Sequence, residues 1–216
     1  EYVDQLLIHW PTPFKFDGDD NLYPKDGRGH VILDEGLDLA KTWSAMEGFV
    51  EDGLCRSIGL SNCSKEWVKF FVEKSAKVKP ATNQIEVHPY FQNEELVGFC
   101  EENGVHVVAY CPLGNYDPSS DFPSALKDGN ILQIAKKHSK TPAQVIIRWH
   151  LQSGRTVIPK SVNQVRIKDN VDVFDFELDA EDMESIKSIG AKKFRICNQN
   201  FGPKGALYWP KDTTVF

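Results

Sequence analysis

The apolar residues of this chain fall into short runs, most of them stopped by proline, and the stretches between the runs carry helical spacing. Gln5-Leu6-Leu7-Ile8-His9-Trp10 is nearly continuous and ends at Pro11, the pattern of a strand buried on both faces. Cys55-Arg56-Ser57-Ile58-Gly59-Leu60-Ser61-Asn62 repeats it, as do Thr82-Asn83-Gln84-Ile85-Glu86-Val87-His88 before Pro89, Val105-His106-Val107-Val108-Ala109-Tyr110 before Cys111-Pro112, and Val157-Ile158 before Pro159. Proline cannot donate to a sheet ladder, so a strand ends where one stands. Leu37, Ala40, Trp43, Ala45, Met46, Phe49 and Val50 predict a helix over 34–53, stopped by Gly53. Ser64 is placed to cap a second helix through Phe71 and Val72, and Asn93 a third, through Leu96, Val97 and Phe99 to Gly104. Thr141-Pro142-Ala143-Gln144 has Thr at the cap, Pro at the first position and Gln three residues on, and opens a helix to Gly154. Asn163 and Asp179 open two more, the second ending near Gly190. Residues 12–33 and 114–129 read as long loops, and residues 191–216 as an irregular tail containing Phe194, Phe201, Tyr208 and Trp209.

Strands alternating with helices make a parallel α/β protein. Polar residues gather at the C-terminal ends of the strands: His9, Ser61-Asn62, Gln84 and His88, Tyr110, and Lys160-Ser161. In a (β/α)8 TIM barrel that edge carries the active site, with a phosphate site after the last strands, so this is the expected fold. A doubly wound sheet is the alternative; it would prefer a Gly-x-Gly-x-x-Gly turn, and the chain has none.

Lys160, Ser161 and Arg166 converge on a helix start, where unpaired N–H groups favour an anion, phosphate above all. The plainer reading makes Ser161-Val162-Asn163-Gln164 a capping box with surface cations beside it. In the same way His9 alone reads as a structural histidine and Trp10 alone as core; His30, His106, His138 and His150 are read as structural or surface residues.

Charge narrows the partners. With 25 basic and 31 acidic residues the net charge is −6, which argues against nucleic acid or an anionic membrane, and no apolar run approaches a membrane span. Five cysteines, odd in number and without metal-ligand spacing, read as reduced thiols of a cytoplasmic protein with no structural disulfide and no metal site.

Leu7-Ile8-His9-Trp10-Pro11, Ile58-Gly59-Leu60-Ser61-Asn62, Asn83-Gln84-Ile85-Glu86-Val87-His88-Pro89 and Ile158-Pro159-Lys160-Ser161, in this order and spacing, closely resemble the aldo-keto reductases, particularly the aldose and aldehyde reductases. The resemblance implies NADPH bound in extended form across a barrel mouth and reduction of aldehydes or ketones to alcohols by hydride transfer. It implies that Ser61, Asn62 and Gln84 hold the nicotinamide carboxamide and that the Tyr110 ring stacks on the nicotinamide. Cys111, Pro112, Leu113, Asn115 and Asp117 would follow the pyrophosphate strap. Lys160, Ser161 and Arg166 would grip the 2′-phosphate, with Asp169 and Asn170 near the adenine. His9 would orient the carbonyl oxygen, and Trp10 would wall the substrate pocket. A small-molecule carbonyl substrate and a monomer when full length go with this reading.

The sequence departs from the family's pattern at Cys63, where an aromatic residue is usual, at Cys111, where many relatives carry Ser, and at Asp169. No residue matches the family's catalytic Asp, Tyr and Lys, which lie on earlier strands. The chain is therefore expected to cover about strands 4 to 8 and the C-terminal tail of a single barrel domain over 1–216, N-terminally incomplete. Alone it is expected not to turn over aldehydes. The rival reading is a non-catalytic NADP(H)-binding module on the same fold.

Overall fold

The structure, a computed structural model, describes residues 1–34, 36, 38–75, 77–114 and 123–197. Their contacts divide into two compact units, one of Glu1–Gln84 and Glu95–His106, the other of Ile85–Glu94 and Val107–Cys197.

The first unit is built on parallel strands in sequence order: β1 (Val3–Ile8), β2 (Cys55–Ser61) and the first residues of β3 (Thr82–Glu86). Leu7 pairs with Gly59 and Ile8 with Leu60; Leu60 pairs with Asn83 and Ser61 with Gln84. This register places the ends of the three strands side by side. Gly59 is required for it: a Cβ there would lie 2.5 Å from Thr82 Oγ1 and 2.8 Å from Leu7 Cδ2, the usual reason for glycine inside a strand.

Helix α1 (Leu39–Glu51) is capped by Asp38, whose side chain accepts from the Ala40 N–H, and packs against β2. Its buried face presents Trp43, Met46 and Glu47. An acid in that position needs partners, and Glu47 Oε1 accepts the N–H groups of Lys77 and Val78 at 2.7 and 3.0 Å, while Trp43 Nε1 donates to the Val78 carbonyl. Ser64 caps α2 (Lys65–Phe70), accepting from the Trp67 N–H; the helix then widens into a π turn over Phe71–Ser75. Helix α3 (Glu94–Glu102) buries Leu96, Val97 and Cys100. Asn93 precedes it at φ 50, a left-handed conformation that asparagine tolerates but that is not the extended geometry of an N-cap.

In the second unit β4 (His106–Tyr110) and β5 (Thr156–Val157) are parallel, Val108 opposite Thr156 and Ala109 opposite Val157. Helix α5 (Pro142–Gln152) opens with the complete reciprocal capping box of Thr141 and Gln144. It packs against α4 (Gly129–His138), β5 and α6 (Gln164–Val171). Asn163 caps α6 by accepting from the Arg166 N–H, and Asp179 caps α7 (Ala180–Ile189) in a second capping box with Asp182. No residue of α6 is buried.

Several sequence expectations shift. The first strand starts and stops two residues earlier than Gln5–Trp10, so His9 and Trp10 stand past its end. The third stops at Glu86, and His88 instead forms an antiparallel bridge with Phe91. The last strand is only Thr156–Val157, although the Ile158 N–H still donates to the Ala109 carbonyl. Within 12–33, bridges pair Phe14 with Leu33 and Lys25 with Val31. Helix α4 was not expected; Ile131, Ile134 and Ala135 are its buried stripe and Asp128 its cap. Phe201, Tyr208 and Trp209 lie outside the described residues. No helix among the described residues is long and apolar enough to cross a membrane.

Candidate functional site

The strand ends of the first unit bring four of the expected residues together. Asn62, one residue past β2, takes φ 57, and its N–H donates to the Gln84 carbonyl at 3.0 Å. Its Nδ2 donates to the His9 carbonyl at 2.9 Å and to Ser61 Oγ at 3.2 Å. Ser61 Oγ donates in turn to the Gln84 carbonyl at 2.8 Å. Ser61 and Asn62 are buried and Gln84 half-buried. The Gln84 side-chain amide has no hydrogen-bond partner among the described residues, which leaves it both a donor and an acceptor to offer. The His9 imidazole is exposed, 5.8 Å from the half-buried Trp10 ring and tilted 36° to it. Beneath this edge Asn83 donates to the Cys63 carbonyl at 2.9 Å and its Oδ1 accepts from the Cys63 N–H at 3.4 Å. The small Cys63 side chain is fully buried there, at the position where the resemblance implies an aromatic ring.

In the second unit Tyr110 ends β4, half-buried. Burial, followed by the nearby Cys197 and Glu86, pushes its phenol well above the ordinary tyrosine value, so the ring stays neutral. Cys111 follows at φ 46, exposed, and Gly114 donates its N–H to the Cys111 carbonyl at 2.9 Å to close a turn through Pro112 and Leu113. That turn rests on a buried histidine. His150 Nε2 donates to the Pro112 carbonyl at 3.3 Å, and Arg155 Nε donates to His150 Nδ1 at 3.3 Å. Burial, then the Arg155 charge, holds the His150 pKa well below the ordinary value, consistent with a neutral ring that accepts at Nδ1. Asn115 and Asp117 lie outside the described residues.

Lys160 and Arg166 are exposed, and no carboxylate among the described residues lies within ion-pair distance of either. Ser161 Oγ accepts from the Asn163 N–H at 3.2 Å, so Ser161 and Asn163 together shape the start of α6. The Ser161–Gln164 capping box is therefore replaced by an Asn163 cap. Asp169 and Asn170 are half-buried, three and four residues beyond Arg166, and share its helix face. Exposed cations beside a helix N-terminus suit a phosphate.

Sequence reasoning missed Glu86 and what it holds. Its Oε1 accepts from the Ile196 N–H at 2.6 Å and from His88 Nε2 at 3.0 Å, and its Oε2 accepts from the Cys197 N–H at 2.8 Å. Burial alone would raise this carboxyl, but the hydrogen bonds from His88, Ile196 and Cys197 outweigh it and hold it below the ordinary glutamate value. The signal was an acid inside an otherwise buried strand, which must be paired to exist there.

The Aldo/keto reductase family profile matches residues 1–191. Aldo-keto reductase family 1 member A1-A of Danio rerio is 45% identical over 190 residues, covering 87% of this chain and 57% of that protein. Aldo-keto reductase family 1 member C15 of Rattus norvegicus is 41% identical over 206 residues, covering 93% of this chain and 62% of that protein. The chain thus spans about six tenths of the length of these relatives. The structure of the aldose reductase from Schistosoma japonicum superposes with a TM-score of 0.86 at 39% identity, covering 98% of this chain and 65% of that one. The parallel strands are accordingly those of a TIM-barrel fold. By profile, relatives and structure alike, this chain belongs to the aldo/keto reductase family.

Proposed function

We propose that the protein is an NADPH-dependent reductase that converts aldehydes or ketones to alcohols by hydride transfer. The observation that carries this reading is the tie between three strand ends, in which Asn62 binds the His9 and Gln84 carbonyls at once. Such a tie fixes a hydrogen-bonding edge, Ser61, Asn62 and Gln84, beside the His9 backbone. A nicotinamide carboxamide needs paired donors and acceptors; the Gln84 amide would supply both, while Ser61 and Asn62, whose donors go to the Gln84 carbonyl, the His9 carbonyl and Ser61 Oγ, would hold that edge beside it. Tyr110 offers a neutral ring for stacking. Pro112, held by His150, and Cys111 and Leu113 beside it would line the pyrophosphate, with Asn115 and Asp117 further along. Lys160, Ser161 and Arg166 would take the 2′-phosphate, and Asp169 and Asn170 the adenine end. When bound, the cofactor supplies the hydride. His9 donates a hydrogen bond that orients the substrate carbonyl, and Trp10 covers one side of it. The developing alkoxide also needs a proton, and none of these residues is placed to give it.

By the positions of their motifs, β1 to β5 are read as the fourth to eighth of the barrel's eight strands. A cytoplasmic setting belongs to the same reading. Relatives named aldose reductase support an aldehyde as the substrate class. The test is oxidation of NADPH by the full-length protein when a simple aromatic aldehyde is added. Turnover that falls at least about tenfold in His9→Gln supports these residue roles; NADPH binding with no turnover on any aldehyde or ketone contradicts them.

A further inference from the structure

Cys111 and Cys197 stand apart from the other thiols. Cys55, Cys63 and Cys100 are buried, and burial pushes the Cys63 and Cys100 thiols up, Cys100 to about 11. Cys111 is exposed, Cys197 half-exposed, and their sulfurs are 3.9 Å apart. Neither sulfur is on a free-swinging segment. Cys111 begins the turn closed by Gly114 and backed by His150, and the Ile196 and Cys197 N–H groups are clamped by the Glu86 carboxylate. A disulfide needs a bond of about 2.0 Å, so the sulfurs must approach by roughly 2 Å to form one.

From this geometry we infer that Cys111 and Cys197 form a reversible dithiol–disulfide site, closed by hydrogen peroxide and opened by thiol reductants. A hydrogen bond from the Cys197 thiol, outweighing burial and the Glu86 charge, holds the Cys111 thiol below its ordinary value, and the same bond raises Cys197. Cys111, the more exposed of the two, is the one peroxide reaches first, and it attacks as its thiolate. Its sulfur attacks one peroxide oxygen, the O–O bond breaks, and Cys111 becomes a sulfenic acid as hydroxide leaves. The Cys197 sulfur then attacks the Cys111 sulfur, the S–O bond breaks, and water leaves with the Cys197 proton. In total two thiols lose two hydrogens and one peroxide becomes two waters. The bond ties residues 195–197 to the turn after β4, beside Tyr110, and a thiol reductant reopens it by exchange.

The test is peptide mapping of the full-length protein after treatment with stoichiometric peroxide, alkylation and digestion without reductant. The expected result is one linked peptide pair joining Cys111 to Cys197, lost on adding a thiol reductant, with Cys55, Cys63 and Cys100 all alkylated after denaturation. In Cys197→Ser, Cys111 should instead stop at the sulfenic acid and be captured by a dione probe; Cys111→Ser should leave Cys197 unoxidised. Conversion of Cys111 to sulfinic acid without the linked pair in the unaltered protein, or linkage to any of the three buried cysteines at equal yield, overturns the assignment.

Discussion

The Asn62 side-chain amide donates to the His9 main-chain carbonyl across 2.9 Å, and this bond joins the ends of neighbouring strands whose side chains carry the proposed chemistry. Asn62 is also left-handed, at φ 57. Replacing it with Ala removes the side-chain hydrogen bonds to the His9 carbonyl and to Ser61 Oγ, together at least about 1 kcal/mol, and puts a poorly suited residue in that conformation, roughly another 1 kcal/mol. Asn62→Ala should therefore lose about 2 kcal/mol of stability by denaturant titration. Asn62→Gly, which keeps the conformation but not the bond, should lose less.

A second expectation concerns Glu86. Glu86→Ala would leave His88 Nε2 and the Ile196 and Cys197 N–H groups without their acceptor in a buried place. Loss of about 3 kcal/mol is expected, together with faster amide exchange at Ile196 and Cys197. Unchanged exchange there would show that the carboxylate does not hold this segment.

Acid should weaken the fold in a defined window because of His150. Its folded pKa lies below its unfolded value. The unfolded chain therefore binds a proton first as pH falls below about 6.5, and stability drops at up to about 1.4 kcal/mol per pH unit until the folded value is reached. Above that window the residue is neutral in both states and contributes no slope. Unfolding free energy measured between about pH 7.5 and 5.5 should fall with acid, and His150→Asn should flatten the curve. Equal slopes in both proteins would mean that His150 protonates freely in the folded state.

Much of this architecture was legible because its signals are local. Thr141-Pro142-Ala143-Gln144, Asn163 and Asp179 announce helix starts through their own side chains, and all three caps form. Pro11, Pro89 and Pro159 mark limits beyond which no strand extends, but strands stop one or two residues sooner because pairing registers, not prolines, set their ends. Helix α4 was hidden by a short apolar stripe among Lys136, Lys137 and His138. Within the site, His9, Ser61, Asn62 and Gln84 were visible from their place at strand ends. Glu86 and Cys197 were not, because what joins them is a contact across more than a hundred residues, and no spacing rule reaches that far.

The most direct test of the proposed function is cofactor discrimination by the full-length protein, read as fluorescence titrations with NADPH and NADH. Lys160 and Arg166 have no carboxylate partner among the described residues at the start of α6. A charge-assisted contact to the 2′-phosphate from an exposed side chain should supply at least about tenfold in affinity. NADPH should bind the more tightly, and Arg166→Ala should remove most of that preference while leaving NADH affinity nearly unchanged. Equal affinity for the two cofactors, or equal weakening of both by Arg166→Ala, would contradict the assignment.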